Sequence, residues 1–331
     1  MADTNGNEPP EEVRLFFLHA LTPLHAGTGE GVGLVNLPTA RERATGLPFL
    51  PGSSVKGVLR QAARDAHLDR EEIISAFGPE TENAAEHRGA LVLSDASLLA
   101  LPVRSHFGGF AWVTSPLLLR RLARDAREAG RDLKVKQALK AFAEAVGDGG
   151  PAGAGAQEIG LAGTSTQIAA PADKNSETSD EGRRAYLDEL VLRLEASEAV
   201  DALAQAVGEH VPGGEGFAEY FAQHLAVLDD TLLAFLAATA LEIRSRVRID
   251  HDRGTAADSG PWTEEHLPAE TVLSGVAIGR KGRRGVTAAD ALETLAKVAT
   301  RETVLRFGGK STAGMGRARL SLLSRWETVA P

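Results

Sequence analysis

The pattern of the chain predicts an α+β fold. Three observations carry this: period-two segments at 13–17 and 241–250, helical spacing at 55–62 and 217–228, and no regular strand-helix-strand alternation between them. The 331 residues, 43% hydrophobic and 24% charged, suffice for one large or two modest domains.

Val13, Leu15 and Phe17 alternate with Arg14 and Phe16, the repeat of a strand that is at least half buried. After Thr22-Pro23, Gly27, Gly29, Gly31 and Gly33 stand at every second position, which permits close backbone approach and predicts a loop. Val55, Val58, Leu59 and Ala62 share one helical face, with Ser53 or Ser54 as the expected N-cap. Residues 91–93 read as a short strand, and Ser115-Pro116 opens a helix bearing Arg120, Arg121 and Arg124. Residues 147–182 are rich in Gly, Ala, Ser and Thr without sustained periodicity, so a flexible insertion is expected there. Helical spacing resumes at Leu187, Leu190, Val191 and Leu194, and again at Phe217, Tyr220, Phe221, Leu225 and Leu228. Leu241, Ile243, Val247 and Ile249 then alternate with Glu242, Arg244, Arg246, Arg248 and Asp250, predicting a strand with one apolar and one basic face. Thr287 with Asp290 caps a last helix, and Ala318, Leu320 and Leu322 close the chain as a strand.

Composition removes several function classes. With no cysteine, disulfides and thiolate sites are excluded. The longest apolar runs fall well short of the roughly 20 residues that span a bilayer, so no membrane partner is expected. Residues 1–12 are polar and acidic, unlike a signal peptide, and predict a disordered tail on a cytoplasmic protein. The net charge of −9 hides an asymmetry: from Leu241 onward 15 Lys and Arg face 11 Asp and Glu, leaving 21 against 34 in the first 240 residues. A second basic island, Arg41, Arg43, Lys56, Arg60 and Arg64, is opposed only by Glu42. An acidic chain with two basic zones can hold a polyanion locally, though solvated faces have the same composition.

The standard phosphate and hydrolase motifs fail. Gly309-Lys310-Ser311 would need a glycine at Val304 to end a P-loop, and Val32, Leu34 and Asn36 block every possible G-x-G-x-x-G. Neither H-E-x-x-H nor G-x-S-x-G occurs. Two clusters remain: Pro51-Gly52-Ser53-Ser54-Val55-Lys56-Gly57, and the loop from Gly308 to Gly316 with Gly309 and Lys310. Each offers backbone amides, hydroxyls and a cation, and the first opens a helix, so each is a phosphate cradle or simply a cap and a turn.

These clusters belong to a longer series. Thr22-Pro23-Leu24-His25-Ala26-Gly27-Thr28-Gly29, Leu37-Pro38-Thr39-Ala40-Arg41-Glu42-Arg43, the Gly52 cluster, Trp112-Val113-Thr114-Ser115-Pro116, Arg246-Val247-Arg248-Ile249-Asp250, Gly254-Thr255-Ala256, Glu264-Glu265-His266-Leu267-Pro268 and the Gly308 loop follow in order. In these segments the chain resembles the RAMP-superfamily backbone subunits of type III-B CRISPR (Cmr) effector complexes, which polymerise along a guide RNA. The resemblance covers nearly everything except the acidic tail and residues 147–182. It implies a single domain over 13–331 with an RRM-like, ferredoxin-like palm, helical insertions, and a protruding β-hairpin thumb placed provisionally at 246–278.

It also implies partners: guide crRNA, complementary target RNA, copies of the chain in a helical backbone, and other Cmr-type subunits. Ser53, Ser54, Lys56 and Arg60 would contact guide phosphates, joined by Gly309 and Lys310, with Arg246 and Arg248 as further RNA-binding residues. Aromatics at only 5% suit a subunit that holds the guide by its backbone and leaves sequence reading to base pairing. The family's aspartate for metal-dependent target cleavage falls at Asn36. An amide is a weaker cation ligand and cannot act as a base, so cleavage is expected to be lost or weakened. No cofactor is expected with Asn36, and Mg or Mn only where cutting is retained or restored. His25 is a site histidine by resemblance or a structural one, and Glu264 and Glu265 either reach a neighbouring subunit's site or are solvated. The competing readings are an endoribonuclease using His25 with Glu265, and a RAMP nuclease that processes guides alone.

Overall fold

The computed structural model describes residues 11–27, 29, 35–79, 87–130, 134–146, 159–170, 183–250, 252–256 and 260–323. In chain order they form β1 (Glu12–Ala20), β2 (Phe49–Leu50), α1 (Gly52–Asp65), α2 (Arg70–Phe77), β3 (Leu91–Leu93), β4 (Ala96–Arg104), β5 (Phe110–Thr114), α3 (Pro116–Glu128) and α4 (Lys134–Val146). Next come β6 (Ile159–Ala162), β7 (Arg183–Leu187), β8 (Leu190–Ala196), α5 (Glu198–Gly208), α6 (Phe217–His224), β9 (Leu225–Val227) and α7 (Asp230–Thr239). The remainder is β10 (Glu242–Arg246), β11 (Ile249–Asp250), β12 (Thr255–Ala256), β13 (Trp262–His266), β14 (Val272–Gly279), α8 (Ala288–Ala296), β15 (Val304–Arg306) and β16 (Arg317–Leu322). This is the α+β fold that the mixed periodicities predict.

One mixed sheet runs in the order β15-β16-β1-β14-β4-β5-β9-β6-β8-β7, with β2 added on β4 and β3 on β14. Its centre is covered on both faces, so β1 is more than half buried. Phe16 and Leu18 enter the core with Val55 and Leu59 of α1 and Leu292 and Leu295 of α8. Leu15 and Phe17 enter the opposite core with Leu119 and Leu122 of α3, Leu203 of α5 and Phe221 of α6. Period two sends alternate residues of one strand into two cores, which is why its apolar run is continuous.

Four expectations need correction. The N-cap of α1 is Pro51, and Ser53 and Ser54 lie inside the first turn. The Gly52 amide donates instead to Asp95 Oδ1 at 2.8 Å, a cap supplied from the start of β4. Residues 186–194 form the β7-β8 hairpin, because Asp188-Glu189 is a two-residue turn with Asp188 at a φ of +52°. Helical spacing at 217–228 ends at His224, after which Leu225–Val227 pairs parallel to β5. The expected 241–250 strand is divided into β10 and β11, and within β10 its faces are reversed: Ile243 is 60% exposed, while Arg244 bonds Glu242 and Arg246 reaches Met315. Leu241 is buried, and Val247, Arg248 and Ile249 are all exposed, so no alternation continues past β10.

Within the provisional thumb segment, β13 pairs with β10 and β11 with β12 in two-stranded ribbons outside the main sheet. From Val272 on, the chain is β14, paired with β1 throughout its length. Of residues 147–182, 159–170 are described, with β6 paired to β8 and β9. The acidic tail to Pro10 and the rest of that insertion lie outside the described residues.

Candidate functional site

Beyond the C-terminal end of β1, two pieces of chain, around Leu24 and Leu37, assemble on strand β13 and on Leu267 just after it. Leu24 and Leu267 exchange backbone hydrogen bonds at 2.9 Å, Leu37 N donates to Thr263 O, and Glu265 N donates to Leu37 O, both at 3.0 Å. The glycine loop docks on the same pieces, with Gly309 N on His25 O at 3.0 Å and Gly316 N on Pro23 O at 2.9 Å. This approach requires glycine at 308: with φ at +75°, a Cβ there would stand 2.2 Å from His25 O. The spacing of glycines in the sequence thus reports a packed junction.

Asn36 stands at the exposed edge of this junction. Its Oδ1 accepts from the Thr263 amide at 2.9 Å and from the Thr263 hydroxyl at 3.1 Å, while its own amide N–H donates back to Thr263 Oγ1 at 3.1 Å. Both lone pairs of the side-chain carbonyl are therefore occupied.

Behind it the two glutamates are buried rather than solvated. Glu264 is 0% exposed: Oε1 accepts from Trp262 Nε1 at 2.7 Å and lies 2.8 Å from Lys310 Nζ, and Oε2 is 3.4 Å from Arg246 Nε. Burial alone would push this carboxyl up, but hydrogen bonds from Lys310 and Trp262, with the charges of Lys310 and Arg246, hold it at about 2. Glu265 Oε1 accepts from Arg41 Nη2 at 2.8 Å and Oε2 from the Thr39 amide at 3.0 Å. His25 Nδ1 bonds the Glu265 carbonyl at 2.8 Å, and its ring lies 5.2 Å from that of His266. Burial, reinforced by His25, holds the His266 imidazole below its usual range, so it is neutral near pH 7.

This donor set does not fit a resident divalent cation. The Asn36 carbonyl is spent on Thr263, each glutamate is already paired with a cation, and among the described residues no group of three or more His, Asp or Glu could hold a metal ion. His25 meets Glu265 through the backbone carbonyl, while the Glu265 carboxylate faces Arg41 and the Thr39 amide, so the two side chains are not hydrogen-bonded to each other here.

The other predicted cluster lies at the opposite end of the sheet. Strand β14 is antiparallel to both β1 and β4, so the starts of β1 and β4 share an end with Gly279. Eight residues of β14 put roughly 25 Å between the two ends. There the first turn of α1 opens on a cleft of about 680 Å³ whose walls include Ser53, Lys56, Arg88, Arg280 and Lys281. Lys56 Nζ donates to Leu91 O at 2.7 Å and Arg60 Nη2 to Gly78 O at 3.0 Å. Burial, then the nearby Arg60 charge, lowers the Lys56 ammonium below its usual range. Thus Ser53, Ser54, Lys56 and Arg60 sit together, Gly309 and Lys310 sit with Asn36, and the two sets do not meet. Arg246 joins the second set through Glu264, and Arg248 is exposed beyond β10. Arg88 and Lys281 were not singled out in the sequence, although 280–284 is itself a basic run that could have revealed one of them.

Comparison with known proteins places these features in a family. The model of the RAMP superfamily matches residues 17–319. The chain is 32% identical over 312 residues to the CRISPR system Cmr endoribonuclease Cmr4 of Pyrococcus furiosus, covering 92% of this chain and 94% of that protein. It is 25% identical over 324 residues to the CRISPR system CMR subunit Cmr4 of Saccharolobus solfataricus, covering 94% and 97%. Its fold matches the crystal structure of oligomeric Cmr4 from Pyrococcus furiosus with a TM-score of 0.66 and 25% identity over 94% of this chain and 99% of that one.

Proposed function

We propose, since the chain belongs to the RAMP superfamily and within it to the Cmr4 subunits of type III-B CRISPR systems, that it is an RNA-binding backbone subunit whose target cleavage is lost or weakened. It holds guide RNA, stacks on copies of itself beside other Cmr-type subunits, and presents the guide to complementary target. The name of the Pyrococcus relative supplies the endoribonuclease comparison, and the oligomeric relative supplies the self-association.

One observation supports the reading of cleavage: Asn36, the position to which the resemblance assigns the family aspartate, is an amide clamped by Thr263, with both neighbouring glutamates paired to Lys310 and Arg41. A group that accepts two hydrogen bonds and has no charge can neither take a proton nor balance a cation. The basic cleft at the start of α1 supports the RNA reading, because the Ser53 hydroxyl and the cations Lys56, Arg88, Arg280 and Lys281 line it. The test is the assembled, guide-loaded complex offered labelled complementary RNA: retained target binding with negligible cutting is expected, and efficient cutting by the unaltered chain overturns the reading.

A further inference from the structure

At the β7-side margin of the sheet, two hairpin tips close on each other. The His106 amide donates to Tyr186 O at 3.1 Å and the Asp188 amide to Arg104 O at 2.8 Å, so the β4-β5 loop and the β7-β8 turn are zipped by their backbones. Between them is a preformed cavity of about 550 Å³ lined by Arg104, Ser105, His106, Phe107, Tyr186 and Asp188. Its volume is in the range of small-molecule sites.

The lining has a specific chemistry. The rings of His106, Phe107 and Tyr186 contact one another at centroid distances of 5.1, 5.9 and 6.2 Å, which fixes their orientation. Tyr186 is one of two tyrosines in the chain and is 38% exposed. Ser105 is 5% exposed, and its hydroxyl has no hydrogen-bond partner among the described residues. Such a group is costly to bury unless a partner arrives. The Arg104 guanidinium and Asp188 carboxylate are exposed at the rim, and neither side chain is engaged by another described residue.

We infer that this cavity is a nucleotide subsite: a nucleobase stacks on the Tyr186 and Phe107 rings, and Arg104 takes the adjoining phosphate. Asp188 and the Ser105 hydroxyl bond the polar edge of the base or the ribose. Aromatic faces accept any base, a guanidinium suits phosphate, and a carboxylate suits amino and hydroxyl donors, so the set fits a nucleotide better than an apolar peptide. The site is separate from the α1 cleft and from Asn36, so it does not depend on the guide-phosphate reading.

The test uses the full chain with three probes: a fluorescent single-stranded hexaribonucleotide, the same strand carrying 5-iodouridine for photocrosslinking, and AMP as competitor. Phe107→Ala and Tyr186→Leu are each expected to raise the hexanucleotide Kd about tenfold at unchanged melting temperature. Tyr186→Phe, which keeps the ring, is expected to retain binding, and crosslinks are expected at Tyr186 or Phe107. Competition by AMP would assign the site to free nucleotides, and no competition to a base within a strand; both support a nucleotide subsite. Unchanged Kd in both truncated variants with no crosslink at these rings overturns it. If only K56A/R60A loses binding, the cavity is refuted while the guide reading stands; if only the ring variants lose it, the reverse holds.

Discussion

Lys310 Nζ lies 2.8 Å from Glu264 Oε1, an ion pair that ties the glycine loop after β15 to the ribbon strand beside Asn36. The lysine that looked from sequence like a phosphate ligand is half exposed but already spends its charge on a fully buried carboxylate. Trp262 completes the arrangement, with Lys310 Nζ 5.8 Å from the ring centroid. The junction is thereby held by charge as well as by backbone pairing.

That pair makes stability pH-dependent. The folded Glu264 carboxyl, at about 2, lies below its ordinary value of 4.5. Its contribution is therefore complete above about pH 4.5 and is lost as pH falls toward about 2. Urea unfolding of the chain and of Glu264→Gln should differ by on the order of 2 to 3 kcal/mol at neutral pH, with the gap closing in that acid window. A gap that stays constant down to pH 3 contradicts the assigned role.

The α1 cleft should act on phosphates and ignore bases. Replacing Lys56 and Arg60 together by alanine is expected to weaken guide binding equally for unrelated guide sequences and to reduce the salt slope by about 1.4, the value for two single-strand phosphate contacts. Because both side chains also bond backbone carbonyls, Arg88→Ala with Lys281→Ala supplies a second pair whose side chains make no hydrogen bond among the described residues. Loss confined to particular guide sequences, in either pair, counts against the cradle.

Assembly should be head to tail. The ribbon exposes Ile243, Val247 and Ile249, whereas the α1 cleft is cationic, so the surfaces differ and a contact between unlike surfaces propagates as an open array. Solution scattering with guide RNA is expected to show particles that lengthen with guide length. A closed two-fold dimer at every guide length rules this out.

Legibility in the sequence followed how local each determinant is. The Thr287 and Asp290 capping box was readable because four consecutive residues contain it, and the structure has both of its hydrogen bonds. The hairpin at 186–194 was not, since Leu187, Leu190, Val191 and Leu194 satisfy helical spacing equally well and only the Asp188-Glu189 turn decides between them. For 241–250 only the β10 part of the period was legible, and neither its orientation nor its end at Arg246 was: a ribbon outside the main sheet has no core to select its apolar face. Asn36, His25 and the glutamates could be picked out by resemblance, yet the burial of Glu264 depends on Lys310 and Arg246, which pairing of distant strands brings in. Arg88 and Lys281 meet Lys56 for the same reason, through β3 and β14.

Asn36→Asp is the substitution on which the account turns, because it introduces a charged carboxylate with almost no change of shape. RNA binding and assembly are expected to survive it, as the Thr263 amide and hydroxyl can donate to a carboxylate as they do to the amide. Loss of one acid–base group typically costs about a hundredfold to ten-thousandfold in rate. The most direct measurement is therefore the single-turnover rate of target cutting by the guide-loaded complex, with the chain as it stands and with Asn36→Asp, in magnesium or manganese and in chelator. The account predicts very slow cutting by the first, and by the second metal-dependent cutting at regular intervals along the target, at least a hundredfold faster. Equal rates for the two would contradict it and would pass the chemistry to residues other than position 36.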